Sequence, residues 1–228
     1  MNRPYTFINA AMTADGKIDT FERKGAAISS ARDKARVDEL RAGADAILVG
    51  GKTLLAEQPK LTVKSEALRE GRVRRGLSPN PIKVGVVTSV ANADIPLESD
   101  FIQAGPARVV IFTTSQSSIS QLETLRARGV EVFVDDEPRV DLSRMMQTLD
   151  EIGVRRLMVE GGATINFELL RLGLVDELSL YLAPMIFGGE RAPTLAAGAG
   201  LTRGEAIPLK LVNVETHEDG GILLVYKF

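Results

Sequence analysis

Along most of the chain, short apolar runs alternate with stretches of helical spacing. Residues 5–12 read as a strand, and Asp15-Gly16 between apolar runs marks a tight turn. Glu22-Arg23-Lys24 reads as a solvated loop. Ser29 or Ser30 is placed to cap a helix running to about Ala42, with Val37 and Leu40 inward and Gly43 as the stop. Residues 44–49 form a buried strand that runs into Gly50-Gly51. Residues 65–81 are charged and poorly periodic, which predicts a surface loop that has room for a short helix, with solvated arginines. Runs at 82–89, 107–114 and 130–134 read as strands. Residues 117–129 and 141–153 read as helices, the second capped by Asp141. Such alternation predicts parallel βα units.

The stretch RLMVEGGATIN at 156–166 concentrates the chemistry. It predicts a buried strand, a turn without side chains and a helix. A turn of that kind aims free backbone N–H groups and the positive end of the helix dipole at its ligand, which suits a phosphate. Glu160 would stand at the carboxyl end of the strand, where open α/β sheets bind ligands. Beyond it the period falls to two. Residues 176–184, 209–217 and 221–228 alternate, and Glu218-Asp219-Gly220 joins the last two as a hairpin. The pattern predicts one α/β domain over 1–228. Its sheet would be mixed and mostly parallel, flanked by helices, with an antiparallel C-terminal edge.

Composition narrows the chemistry. The formal net charge of −2 gives no reason to expect nucleic acid or a membrane surface. The absence of cysteine excludes disulfides, thiolate metal sites and a zinc deaminase of the Cys-x-x-Cys kind. With one histidine, His217, a histidine-cluster metal site is excluded as well, so no metal is expected. His217 lies in an alternating strand outside every motif and reads as structural. No export signal or bilayer-spanning run is visible, which predicts a soluble, cytoplasmic protein. Gly51-Lys52-Thr53 has the ending of a P-loop, but Ala46 stands where the first glycine is required.

Several stretches, in order from end to end, resemble the riboflavin-biosynthesis pyrimidine reductase family, meaning the RibD C-terminal domain and its free-standing archaeal and fungal relatives. They are NAAMTADGK at 9–17, DELRAGADAILVG at 38–50, PKLTV at 59–63, MVEGGATIN at 158–166, GLVDE at 173–177, APMIFGG at 183–189 and DGGILL at 219–224. The resemblance implies a dihydrofolate-reductase-like fold and a homodimer. It also implies NADPH-dependent reduction, with NADH as the alternative donor, of 2,5-diamino-6-ribosylamino-4(3H)-pyrimidinone 5′-phosphate to the ribitylamino product. Hydride would attack C1′ of the ring-opened ribosylimine. Such chemistry belongs to the cofactor, and it needs no nucleophile, metal or histidine base.

Carried over by position, the resemblance implies cofactor contacts at Gly161, Gly162, Ala163, Thr164 and Ile165. Thr53, Glu57, Val87, Thr88 and Ser89 belong to the same set. Glu57-Gln58 replaces the family's common Asp-Asp, and Thr88 replaces a frequent aspartate. On the substrate side it implies Asn9, Asp33, Arg36 and Glu160. From spacing alone, Asp33 and Arg36 also read as a surface ion pair on one helix face. No residue is assigned as proton donor. Two other readings stay open: a reductase of another heterocycle such as a dihydropterin, and a non-catalytic nucleotide-binding module.

Overall fold

A computed structural model describes residues 2–88 and 95–228. In chain order its elements begin with β1 (Tyr5–Thr13), α1 (Ala31–Ala42), β2 (Ala46–Gly50), α2 (Gly51–Glu57) and α3 (Glu66–Arg74). There follow β3 (Ile82–Val86), α4 (Asp100–Gln103), β4 (Val109–Thr114), α5 (Ile119–Ala127), β5 (Glu131–Asp135) and α6 (Leu142–Glu151). The last are β6 (Arg156–Val159), α7 (Ala163–Arg171), β7 (Glu177–Ala183), β8 (Lys210–Thr216) and β9 (Ile222–Lys227). They form two compact units, Met1–Pro4 with Asp38–Met158, and Tyr5–Val37 with Val159–Phe228. Neither unit is continuous in sequence.

In the first unit the strands run β5-β4-β3-β2-β6. The β2–β3, β3–β4 and β4–β5 pairs are parallel. Every residue of β2 and β4 is buried, as expected of parallel strands covered on both faces. Gly85 on β3 is required by packing, because a Cβ there would lie 2.4 Å from Leu54 Cδ1 and 2.7 Å from Ile111 Cδ1. The Asp45 carboxylate accepts the N–H groups of Arg155 and Arg156 at 2.9 and 2.8 Å, which fixes the start of β6.

Two expectations for this region are corrected. Residues 66–74 form the short helix for which that loop left room, with Ser65 as N-cap accepting from Leu68 N, but its arginines are not all solvated. Arg72 is only 2% exposed, and its guanidinium donates to the carbonyls of Ser78, Ala42 and Ala44. A charged, weakly amphipathic stretch hid a helix specified by its cap and by one buried arginine. In α1 the buried positions are Asp33, Asp38 and Ala42, while Val37 and Leu40 stay half-buried. Asp38 accepts from the N–H groups of Lys64 and Ser65 at 2.6 and 2.8 Å and so sets the entry to α3. The residue pattern singled out no element at 100–103, where α4 is a four-residue helix too short to show periodicity.

The second unit carries the strand order β1-β7-β9-β8. β1 and β7 are parallel, with Asn9 opposite Ser179, while the β7–β9 and β8–β9 pairs are antiparallel. The mixed, mostly parallel sheet with an antiparallel C-terminal edge is therefore as the residue pattern predicts. The 218–220 hairpin is also present, Gly220 adopting a left-handed φ of +84°. Two carboxylates organise the loops after β1 and β7. Asp15 accepts from Phe187 N and Gly188 N at 3.2 and 2.7 Å. Asp19 gathers the N–H groups of Thr20, Gly25 and Ala26 within 3.0 Å, so the Glu22-Arg23-Lys24 loop is anchored at its base.

Candidate active site

In the second unit, Glu160 is half-buried directly after β6 and the Gly161-Gly162 turn follows. Gly161 has φ +100°, a conformation that an L side chain resists. Gly162 is the N-cap of α7 and supplies no side-chain cap, so the N–H groups of the first turn are left for another acceptor. Ala163 and Gly162 are half-buried, Thr164 is exposed, and Ile165 is buried with its side chain toward the core. A segment that the residue pattern did not single out supports this turn. Asn166, 1% exposed, donates through Nδ2 to Leu195 O at 2.9 Å, and Ala197 N donates to Ala163 O at 2.9 Å. Gly198 lets this segment close on α7, since a Cβ there would lie 2.1 Å from Phe167 Cδ1.

A polar cluster spans β1, β7 and α1 of the same unit. Arg36 Nε and Nη2 donate to Asp33 Oδ1 at 2.9 and 2.7 Å. Nη2 also donates to Asn9 Oδ1 and Nη1 to Ser179 Oγ, both at 2.8 Å. Asn9, Asp33 and Arg36 thus meet directly, and the plain surface ion pair is set aside because Asp33 is 1% exposed. Ser179 was missed; its signal was a serine within the apolar run of β7. Close by in β7, the Tyr181 hydroxyl donates to Asp219 Oδ1 at 3.1 Å. Burial, with Asp219 and Asp33 adding to it, pushes the Tyr181 phenol up. A hydrogen bond from Ser30, then one from Gly221 N, holds the Asp219 carboxyl below its ordinary range.

In the first unit, β2 ends at Gly50, which is the N-cap of α2 and again brings no side-chain cap. Gly51 permits a close approach to β3, a Cβ there meeting Val86 O at 3.2 Å and Val87 Cα at 3.3 Å. Thr53 lies half-buried in the first turn of α2, and Glu57 is exposed at its end. Gln58 adopts a left-handed φ of +47° as the C-cap. Val87 is buried with its N–H on Phe112 O at 2.9 Å. Thr88 is exposed, and its carbonyl accepts from Thr114 Oγ1 at 2.5 Å. Ser89 lies outside the described residues. Among the described residues no group of acidic or histidine side chains is arranged to hold a metal ion. No helix among them is long and apolar enough to cross a membrane.

Glycine-opened helices after parallel strands are the means by which α/β proteins hold phosphorylated ligands. The chain belongs to the RibD C-terminal domain family, whose model matches residues 4–223. It is 43% identical over 198 residues to the 2,5-diamino-6-ribosylamino-4(3H)-pyrimidinone 5′-phosphate reductase of Archaeoglobus fulgidus, covering 86% of this chain and 87% of that one. The protein of the same name from Methanothermobacter thermautotrophicus is 41% identical over 210 residues, 92% of this chain and 91% of that one. Among solved structures, a pyrimidine reductase-like protein of Corynebacterium diphtheriae superposes with TM-score 0.77 at 23% identity, over 98% of this chain and 91% of that one. The Thermotoga maritima deaminase/reductase gives 0.77 at 24% identity, over 99% of this chain and 56% of that one. The two structures speak to the fold, and the family resemblance read from the residues is borne out.

Proposed function

We propose that this protein reduces 2,5-diamino-6-ribosylamino-4(3H)-pyrimidinone 5′-phosphate with NADPH, giving the ribitylamino product of riboflavin biosynthesis. The observation that carries the reading is the 43% identity, over 86% of the chain, to an archaeal protein bearing that reductase's name. A nicotinamide cofactor supplies hydride, which the reaction delivers to C1′ of the ring-opened ribosylimine.

The residues fit such a cofactor. Two uncapped, glycine-opened helix starts leave backbone donors for phosphate oxygens. Gly161 to Ile165 would bind phosphate through their N–H groups. The family resemblance implies Thr53, Glu57, Val87, Thr88 and Ser89 as cofactor contacts too. Glu160, a carboxylate with several acceptor sites, would take the pyrimidine's amino groups, and Asn9 would face the same ring. What the protein contributes is alignment of donor and acceptor carbons, whose worth is large when both are held close and correctly oriented.

The test is to add enzymatically prepared pyrimidine phosphate to protein and NADPH carrying deuterium at C4. Loss of the NADPH absorbance with deuterium in the ribityl chain is expected. Oxidation with dihydrofolate instead, or cofactor binding without turnover, would replace the reading with one of its alternatives.

A further inference from the structure

The bonding of Arg36 says what Asn9 offers to a ligand. Its four hydrogen bonds to Asp33, Asn9 and Ser179 spend all but one of the guanidinium's five N–H groups. Asp33 is 1% exposed, and its Oδ2 is buried without a hydrogen-bond partner among the described residues. Neither side chain is placed to serve as the main ligand contact. Buried ion pairs of this kind are often replaceable by apolar residues with no loss of stability, so stability alone does not account for it.

The guanidinium can only donate, so it dictates the orientation of the Asn9 amide: Oδ1 must turn toward Arg36 and Nδ2 away from it. Among the described residues Nδ2 donates to no protein acceptor, and Asn9 retains 8% exposure. We infer that Arg36, Asp33 and Ser179 are positioning residues that fix the polarity of Asn9, so that it presents two N–H donors to an acceptor oxygen or ring nitrogen of the pyrimidinone. Ser179 is the member that locks the guanidinium from β7, opposite Asn9 in register. The inference rests on the proposed substrate class for its ligand and on the geometry for everything else.

A double-mutant cycle separates this role from direct contact. Ser179→Ala should raise KM for the pyrimidine phosphate about tenfold, the cost of one hydrogen bond to a charged group, while kcat and KM for NADPH stay within twofold. In an Asn9→Ala background, Ser179→Ala should add nothing. Asp33→Asn, which is isosteric, should show the same coupling if Ser179→Ala fails to fold. Additive losses, or an unchanged KM in Ser179→Ala, would overturn the inference. A second readout needs no turnover: the Asn9 side-chain amide resonances should shift in Ser179→Ala, and unmoved resonances would overturn it too. Failure of the wild-type protein to oxidise NADPH with this substrate would retire the functional reading alone, leaving the resonance experiment to decide the positioning role.

Discussion

Lys83 is fully buried in β3, and its Nζ donates to the carbonyls of Asp100, Phe101 and Ala104. Burial lowers its pKa from 10.5 to about 8, with Asp100 opposing. Between those values the unfolded chain holds a proton that the folded chain has released, so stability rises with pH across that window. Tyr181, its phenol pushed up by burial, acts oppositely above its ordinary value of 10.0. Denaturant midpoints should therefore increase from pH 7.5 to 9.5, and Lys83→Met should flatten the rise; a fall in the wild-type protein would contradict it. His217 bears on stability differently. Its side chain is 1% exposed, both ring nitrogens lack a hydrogen-bond partner among the described residues, and the ring packs 5.5 Å from Tyr181. Unmet buried polar groups cost about 1–3 kcal/mol each. His217→Leu should hold or raise the melting temperature, and a drop of several degrees would count against this account. Thr88, whose side chain is exposed, offers a test of cofactor choice: under the proposed cofactor set it would face the adenosine ribose, where a carboxylate would favour a free hydroxyl. Thr88→Asp should reduce the ratio of NADPH to NADH turnover; an unchanged ratio would remove Thr88 from the cofactor set. At this scale the resemblance grouped Asn9, Asp33 and Arg36, and their side chains do meet. Ser179 was not, because it meets Arg36 across 143 residues of chain.

Elements with strong periodicity or clear caps were legible throughout. Asp141 caps α6 through Ser143 N and Arg144 N as its position predicts. The stop at Gly43 also holds, since its N–H bonds to Glu39 O and Leu40 O. What escaped was structure whose cause lies outside the segment. α3 needs Asp38 at its entry and Ala42 and Ala44 as acceptors for Arg72, all contributed by residues before it. Helix starts at glycine have a different logic, for the residue is kept by what it must not carry. At Gly51 a methyl would meet β3 backbone at 3.2 Å. Gly51→Ala should destabilise by about 1–3 kcal/mol, an overpacking cost. It should also weaken NADPH binding more than substrate binding in calorimetry. Equal weakening of both would show that the glycine serves the fold alone.

On the scale of the whole molecule, β8 is the terminal strand in the second unit's order, with Leu211, Val212 and Val214 each close to half exposed. An uncovered apolar edge of this kind seeks a partner strand. Pairing β8 antiparallel with a second copy about the 212–213 peptide would oppose Lys210 to Glu215 at both ends. We therefore expect the homodimer implied by the family resemblance to form through this edge. Sedimentation should report a dimer for the wild-type protein and a monomer for Val214→Lys, whereas a dimer in both would place the interface elsewhere.

The discontinuity of the two units also constrains how the protein is made. β1 is made before its partners, for Asp176, which receives Thr6 N–H at 2.7 Å, is translated 170 residues later. β7 follows only after it. Until then β1 must wait without β7, while the segment in between can already collapse around β2, β3 and β4. Long-range parallel pairing is slow because loop closure is paid before any contact repays it. A nascent chain halted before residue 177 would thus display β1 with its β7 edge unpaired, and this is the stage at which a chaperone matters most to its yield.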